Sequence, residues 1–324
     1  MEPTFPLFRL PENAIVQVLK SMTPNQLFFI SLASSKSKNL VTSLGLRARN
    51  VEISIFGRIS VFLFTTNFNL TLNFYNDSID QNELSPVDIT LPVAASFENQ
   101  GTRIQPSIPL LSFSNWLNHV RTVFCYTKPP NVLFYHDCER FEVQSLKNAI
   151  GNVDVLYVDI EVTNVYSKEV LKHFNASNEL LLERNPFEEA CEFQQFFIQN
   201  YKTFTFYDVY SLDDMLLINS EKVNLYRPTT QKQFNQFVKH WIRGSNRRLQ
   251  YMYLSIDDFV SREVFLKEIR YVDAPKIVRE EICQDHGIGG VHMVVQIRRK
   301  DGTAAVITTN GFLNVLYVRF IVMY

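Results

Sequence analysis

One short segment of the sequence places together side chains that could perform acid, base and nucleophilic chemistry. His136, Asp137, Cys138 and Glu139 are consecutive. Neighbours in an extended segment point to opposite faces, however, and catalytic triads are assembled from distant positions of a chain. We therefore predict no catalytic residue in this segment and expect the chain not to be an enzyme.

A second segment carries two potential metal ligands, Cys283 and His286. A structural zinc site needs four ligands, and the sequence offers no second pair at a suitable spacing. The glycine-rich run 286–290 that follows lacks the length and the strand-to-helix context of a phosphate-binding loop. We predict a flexible turn here, with no metal site and no cofactor.

A third cluster combines Trp241 with Arg243, Arg247 and Arg248. Such side chains could contact phosphate, stack on bases or bind a partner protein, and they are also typical of a solvated helix end, where positive charge is favoured. We retain Trp241, Arg243 and Arg247 as candidates for substrate contact. The other substrate-binding residues are unknown.

The composition predicts a folded chain without a global attraction for anionic partners. Of the 324 residues 46% are hydrophobic and 20% charged, which differs from the composition of disordered chains. Lys and Arg total 32 against 33 Asp and Glu, a formal charge of -1. Such a charge provides no global field that would attract nucleic acid and leaves only local patches for it.

Cysteine usage and hydropathy indicate where the protein works. The four cysteines are scattered, without the framework that small secreted domains need. The first residues lack the basic start and unbroken apolar stretch of a signal peptide. No apolar run reaches the ~20 residues that span a bilayer. We expect no membrane association and a cytoplasmic or nuclear location, or both.

Three short helices are predicted within residues 5–50, before the pattern changes. Pro11 opens the first, whose apolar residues recur at helical spacing. Thr23 and Gln26 form a capping-box pattern at the start of the second, and Gly45 ends the third as a left-handed cap. These helices carry more apolar side chains than one small core requires, and exposed apolar surface of this kind usually binds a partner.

The spacing of these residues resembles the F-box motif, through Leu10-Pro11-Glu12, Ile15, Val18-Leu19, Met22-Thr23-Pro24, Leu27, Ile30, Ser34 and Leu40-Val41. The resemblance implies a three-helix F-box at 5–50 that binds a Skp-family adaptor and, through it, a cullin scaffold. The implied adaptor-binding residues are Leu10, Pro11, Ile15, Val18, Leu19, Met22, Pro24, Leu27, Ile30 and Ser34. About half of them must also hold the three helices together. Many F-boxes have a bulky aromatic residue where this sequence has Ser37.

The remainder is predicted to have an α+β or α/β fold. Residues 51–152 form a β-rich linker region with mobile loops and one or two helices. Residues 153–260 alternate strands with helices at steps of about 20 to 29 residues, the period of leucine-rich-repeat stacks. An ordinary α/β sheet is the competing architecture. Residues 261–324 form a carboxy-terminal capping segment with a β-hairpin around an Asp-Gly turn.

Two segments within this region resemble the type 2 F-box-associated domain of a large nematode family, 211–220 and 237–256. The likeness extends over about 167–258. It implies a substrate-recognition receptor of a Skp adaptor, cullin and F-box (SCF) type E3 ubiquitin ligase, which binds a protein substrate through the larger region. We expect the two functions to separate at about residue 50, each part with its own core.

Two alternatives remain open. One is a nucleic-acid-binding regulator in which Lys36, Lys38, Arg47 and Arg49 of the short helices face phosphates. The other is a protein that sequesters its target without recruiting a ligase, which the residue at position 37 leaves open. Binding to phosphate weakens steeply with salt, whereas an apolar adaptor interface does not, so salt dependence separates the first alternative from the ligase receptor.

Overall fold

The structure is a computed structural model of the chain. It describes residues 10–66, 68–75, 86–99, 102–104, 110–256, 262–286, 291–312 and 315–323. The chain divides into two compact units. The first comprises residues 1–156 and 169–175, and the second comprises 157–168 and 176–324. The expected division at about residue 50 is therefore not where the compact units part.

The first unit begins with three helices and continues into a sheet. The helices are α1 (Glu12–Lys20), α2 (Pro24–Ala33) and α3 (Ser35–Ser43). The strands that follow are β1 (Asn50–Ile55), β2 (Ile59–Phe64), β3 (Asn69–Phe74), β4 (Pro92–Val93), β5 (Ser96–Asn99), β6 (Thr102–Ile104) and β7 (Leu111–Ser112). Then come α4 (Phe113–Val123), β8 (Asn131–Phe134), α5 (Val143–Ile150) and β9 (Val153–Val158), where the chain passes to the second unit.

The sheet of the first unit is ordered β8-β1-β2-β3-β5-β6. β1 and β8 are parallel, and β1, β2 and β3 are antiparallel neighbours. The β-rich prediction for this region is confirmed, as is a helix at the position of α4. The mobile loops predicted within 51–152 are only partly covered, because residues 76–85, 100–101 and 105–109 lie outside the described residues.

Local signals in the sequence account for the ends of the first helices. The Thr23 side chain accepts a hydrogen bond from the backbone N–H of Gln26 at 3.4 Å, and the Gln26 side chain accepts from the backbone N–H of Thr23 at 2.8 Å. This is the capping box predicted from the sequence. Gly45 follows α3 with φ of 69°, the left-handed conformation that glycine adopts without steric cost.

The three helices share a core with the strands that follow them. Phe28 of α2 is fully buried, and its ring centroid lies 5.7 Å from that of Phe97 and 5.9 Å from that of Phe124. Phe29 contacts Phe97 at 4.4 Å between centroids. The expectation of separate cores on the two sides of residue 50 is corrected by this packing, because Phe28 belongs to both.

The second unit alternates parallel strands with helices. Its elements are α6 (Asn164–His173, which returns to the first unit at Glu169), β10 (Ala176–Leu182), α7 (Ala190–Phe197), β11 (Thr203–Phe206), α8 (Leu212–Leu217), β12 (Lys222–Thr229), α9 (Gln231–Arg243) and β13 (Tyr251–Ile256). β10, β11, β12 and β13 pair in sequence order, each parallel to the next. The predicted alternation of strand and helix is confirmed.

The carboxy-terminal part extends the same sheet with antiparallel strands. α10 (Arg262–Phe265), β14 (Tyr271–Asp273) and α11 (Lys276–Asp285) precede β15 (Val291–Arg298), β16 (Ala304–Phe312) and β17 (Val315–Met323). The order is β14-β15-β16-β17-β13-β12-β11-β10. The predicted hairpin is confirmed as β15 and β16, and its turn contains Gly302 with φ of 94°. The pairing of β17 with β13 was not predicted.

Helices α7 and α9 pack on one face of this sheet, whereas α11 packs on the other face, where Ile282 joins a buried cluster with Val306 and Ile321. Phe193 of α7 contacts Phe206 of β11 at 4.7 Å between ring centroids, and Trp241 of α9 contacts Phe320 of β17 at 4.9 Å. The fold is thus mixed, with helices at the amino terminus and a large sheet. Within the described residues, no helix has the length and apolar character needed to cross a membrane.

Candidate adaptor-binding and substrate-binding surfaces

The ten predicted adaptor-binding residues differ in how much of each side chain reaches the surface. Three of them, Ile15, Leu19 and Leu27, are at most 3% exposed and hold the helices together. Pro11 and Ser34 are exposed. The half-buried remainder is Leu10, Val18, Met22, Pro24 and Ile30. The expectation that part of the set is core thus agrees with the burial, and direct contact with an adaptor remains a prediction for the other residues.

An open groove lies between α1 and α3. Its volume is about 600 Å³, and it is lined by Asn13, Val16, Lys36, Asn39, Leu40 and Ser43. Val16 and Leu40 are half-buried apolar side chains in this groove. They were not among the predicted adaptor contacts, because the helical stripe on which the prediction rested runs through Ile15 and Leu19. Asn13 and Val16, three residues apart, lie on a neighbouring face of α1, and this spacing was the sequence signal for the groove.

Ser37, at the position where many F-boxes have an aromatic residue, is fully buried in this chain. Its backbone N–H donates to the Ser34 hydroxyl at 3.1 Å, and the two hydroxyl oxygens lie 2.7 Å apart. Ser34 is thus the amino-terminal cap of α3. Because the Ser37 side chain points into this cap, its small size fits the packing of the helix start.

The helices are attached to α4 through a buried polar contact. The Ser31 hydroxyl donates to the Phe28 carbonyl at 2.6 Å and lies 2.7 Å from Nε2 of His119. His119 is 9% exposed and its ring lies edge-on to Phe28. Burial, and secondly the charge of Lys38, lower the pKa of His119 from 6.5 to about 4. His119 is therefore neutral at physiological pH.

Because this contact needs a neutral His119, we expect the packing of α2 on α4 to lose stability in acid. In the unfolded chain His119 binds a proton near pH 6.5, whereas in the folded chain it does so near pH 4. Neutral His119 contributes to the free energy of unfolding. This contribution is fully present above pH 6.5 and is lost as the pH falls towards 4, and the total loss is about 1–3 kcal/mol. We expect urea unfolding of wild type to lose this amount relative to His119→Gln. Equal pH dependence of the two proteins between pH 7 and 4 would contradict the prediction.

The predicted substrate contacts around α9 do not form one surface. Trp241 is fully buried against Phe320, and the guanidinium group of Arg299 lies 5.2 Å from its ring centroid. Trp241 is therefore a core residue, and its prediction as a substrate contact is corrected. Arg243 and Arg247 are exposed and remain candidates. Arg248 is paired with Glu221 at 3.3 Å.

The side chains that could perform chemistry are buried or packed against their neighbours. Cys138 is fully buried, and burial strongly raises the pKa of its thiol, which disfavours the reactive thiolate. Cys283 packs beside a buried cluster that includes Ile282, and His286 stacks on Tyr251 at 5.5 Å. The described part of the chain contains no group of three or more metal-ligating side chains. The glycine-rich run lies outside the described residues at 287–290.

A row of aromatic side chains crosses the face of the second unit's sheet opposite to α7 and α9. This tyrosine row consists of Tyr207, Tyr226, Tyr253 and Tyr317, with ring centroids 4.1, 5.5 and 5.8 Å apart in that order. The sequence analysis missed it as a surface. The signal was one tyrosine within, or directly after, each of three successive parallel strands, which becomes a row of four only when β17 supplies Tyr317.

Comparison with known protein families matches two segments of the chain. The model of the F-box domain matches residues 7–49, which include α1, α2 and α3. The model described as F-box associated matches residues 192–254, from α7 to β13. The chain thus contains one segment similar to the F-box domain and a later segment similar to the F-box-associated domain.

A curated protein of Caenorhabditis elegans, the F-box associated domain-containing protein sdz-33, is similar to this chain. The two are 22% identical over 307 residues, which cover 93% of this chain and 92% of that protein. The similarity therefore extends well beyond the two matched segments. No solved structure matches the chain.

Proposed function

We propose that this chain is the substrate-recognition receptor of an SCF-type E3 ubiquitin ligase. Its F-box binds a Skp-family adaptor and, through it, a cullin, while the second unit binds a target protein. The chain performs no bond chemistry itself. F-box domains generally bind such adaptors within these complexes. The observation that carries the proposal is the partly exposed apolar surface of the F-box helices, which includes the groove between α1 and α3.

The proposal includes an architecture and a location. We propose a leucine-rich-repeat-like stack for 153–260, supported by parallel strands that pair in sequence order with intervening helices on one face. Such a stack leaves the other face of its sheet available to a protein substrate. We place the protein in the cytoplasm, the nucleus or both, where ubiquitin ligases and unpaired cysteines are found together.

We expect Val16→Asp to weaken binding of a recombinant Skp-family adaptor by about tenfold to a hundredfold. Val16 lines the groove, and a charge there would be desolvated when the adaptor covers it. Val16 is half-buried and is not one of the fully buried side chains that form the core of the helices, so loss of folding is not the expected result. The measurement is adaptor affinity by calorimetry, with unfolding curves of both chains as a check on folding.

The matched control is Val165→Asp, the same substitution at a side chain that is 77% exposed in the second unit. It should bind the adaptor at wild-type strength. If folded wild-type protein shows no affinity for the adaptor, the ligase function is excluded and sequestration is favoured. If affinity exists but falls steeply with salt in the manner of phosphate binding, the apolar interface is wrong.

A further inference from the structure

The face of the sheet that carries the tyrosine row differs chemically from the face that α7 and α9 cover. Along β12, Val223 and Leu225 are fully buried, whereas Asn224 is half-buried and Tyr226 is 41% exposed. Tyr207 and Tyr253 are half-buried members of the same row. A contiguous aromatic surface of this kind on a sheet is typical of a protein-binding site.

The strands beneath the row cannot accept an added strand. β11, β12 and β13 each have hydrogen-bonded neighbours on both sides, so their backbone groups are already paired. A bound peptide must therefore be recognised by side chains and not by a backbone ladder. Aromatic side chains with hydroxyl groups suit polyproline II segments, because prolines lack the N–H and the segment is extended before it binds.

The hydroxyl groups of Tyr207 and Tyr253 remain hydrogen-bond donors at physiological pH. Burial raises the pKa of Tyr207 and of Tyr253 to about 12. Neutral phenols of this kind donate to the carbonyl groups of an extended peptide. The rings of Tyr207 and Tyr226 are parallel within 4° and stack on each other, which leaves no gap between these two rings for a nucleic acid base.

The two ends of the row carry opposite charges. At one end the Tyr157 hydroxyl oxygen lies 2.8 Å from a carboxylate oxygen of Asp159 and 2.8 Å from one of Glu183, so its single proton is shared between two carboxylates that lie close together. At the other end the guanidinium group of Arg319 lies 5.4 Å from the centroid of Tyr253 and donates to Asn310. Arginine has five N–H donors, so Arg319 retains donors for a carboxylate of a ligand. The two carboxylates repel a phosphate group of a ligand and attract a basic group.

The spacing of these charges sets the length of the ligand. Four strand-to-strand steps separate β10, which Glu183 follows, from β17, which contains Arg319. At about 4.8 Å per step this is roughly 19 Å. A polyproline II segment rises about 3.1 Å per residue, so about six to seven residues span the distance.

We propose that the tyrosine row is the docking site for an extended proline-rich segment of the target protein, with a basic residue at one end and an acidic residue about six positions away. The inference rests on the proposed function in that it specifies the substrate that the second unit recognises. The basic residue contacts Asp159 and Glu183, the prolines lie on the tyrosines, and the acidic residue contacts Arg319.

The test uses the full chain and a fluorescent seven-residue peptide with blocked ends, in which four prolines surround one leucine between a terminal arginine and a terminal glutamate. The same composition with the terminal charges exchanged tests the direction of binding. A peptide with glutamate at both ends tests the carboxylate pair. Fluorescence anisotropy should show saturable binding of one of the first two peptides and weaker binding of the one with exchanged charges. The peptide with two glutamates should bind least.

Two variants locate the site. Tyr226→Ser should weaken peptide binding by about tenfold, whereas Tyr271→Ser, at a tyrosine on β14 that is 40% exposed, should not. Arg319→Gln should remove the preference for a glutamate at its end of the peptide. Unfolding curves of each variant show whether the protein remains folded.

Three results would overturn the proposal. They are absence of binding by all three peptides, equal weakening by Tyr226→Ser and Tyr271→Ser, and displacement of the peptide by a single-stranded oligonucleotide. Failure of the proposed function is distinguishable, because Val16→Asp should lose the adaptor and keep the peptide.

Discussion

A chain carrying Leu19→Asp is expected to lose its folded F-box, and adaptor binding with it. Leu19 is 0% exposed between the helices, so the substitution removes a buried apolar side chain and leaves a carboxylate without a partner. The combined cost is at least about 4 kcal/mol, against a typical total stability of about 5–15 kcal/mol. Urea unfolding followed by circular dichroism, with hydrogen exchange of residues 12–43, measures the loss.

The control for Leu19→Asp is Gln17→Asp, which places the same charge on an exposed position of the same helix. It should unfold at the wild-type urea concentration. Suppose instead that Leu19→Asp unfolds as wild type does and only adaptor affinity is lost. Leu19 would then be a contact residue, as the F-box resemblance implies, and its burial in the isolated chain would not reflect its role.

Phe28→Ala is expected to destabilise the whole first unit by about 3–5 kcal/mol. The Phe28 ring contacts Phe97, His119 and Phe124, so its removal leaves a cavity shared by α2, the sheet and α4. The two tryptophans of the chain allow the effect to be localised, because Trp116 lies in the first unit and Trp241 in the second.

In a Trp241→Phe background, fluorescence of Trp116 should report a large shift in the urea midpoint caused by Phe28→Ala. In a Trp116→Phe background, fluorescence of Trp241 should report a much smaller one. Ile198→Ala, at a side chain that is 53% exposed, is the control and should change neither. A midpoint for Trp116 that does not move would show that the helices and the sheet have separate cores after all.

The shared core predicts that a chain of residues 51–324 folds less stably than the full chain. A chain that begins at Val51 lacks Phe28, so Phe97 and Phe124 would face water. Point substitutions in the groove, such as Val16→Asp, therefore separate adaptor binding from target binding more cleanly than truncation does.

Local sequence signals correctly predicted the elements of the fold. The capping box of Thr23 and Gln26, the left-handed Gly45 and the turn at Gly302 depend on residues within a few positions of each other. The alternation of strand and helix after residue 153 follows from hydrophobic periodicity, which is likewise a short-range property. The F-box and F-box-associated resemblances are confirmed on the same basis, because their motifs are short and ordered along the chain.

Only the tertiary structure decided which apolar and aromatic side chains are core and which are surface. Leu19 and Val16 lie on the same short helix, yet one is buried and the other lines an open groove. Tryptophan is a residue type common in binding sites, yet Trp241 lies in the core. The pairing of β17 with β13 places Phe320 against it. That antiparallel pairing joins positions 60 to 70 residues apart, and no short-range pattern encodes it. The tyrosine row exists for the same reason, because Tyr317 meets Tyr253 only once β17 is in place.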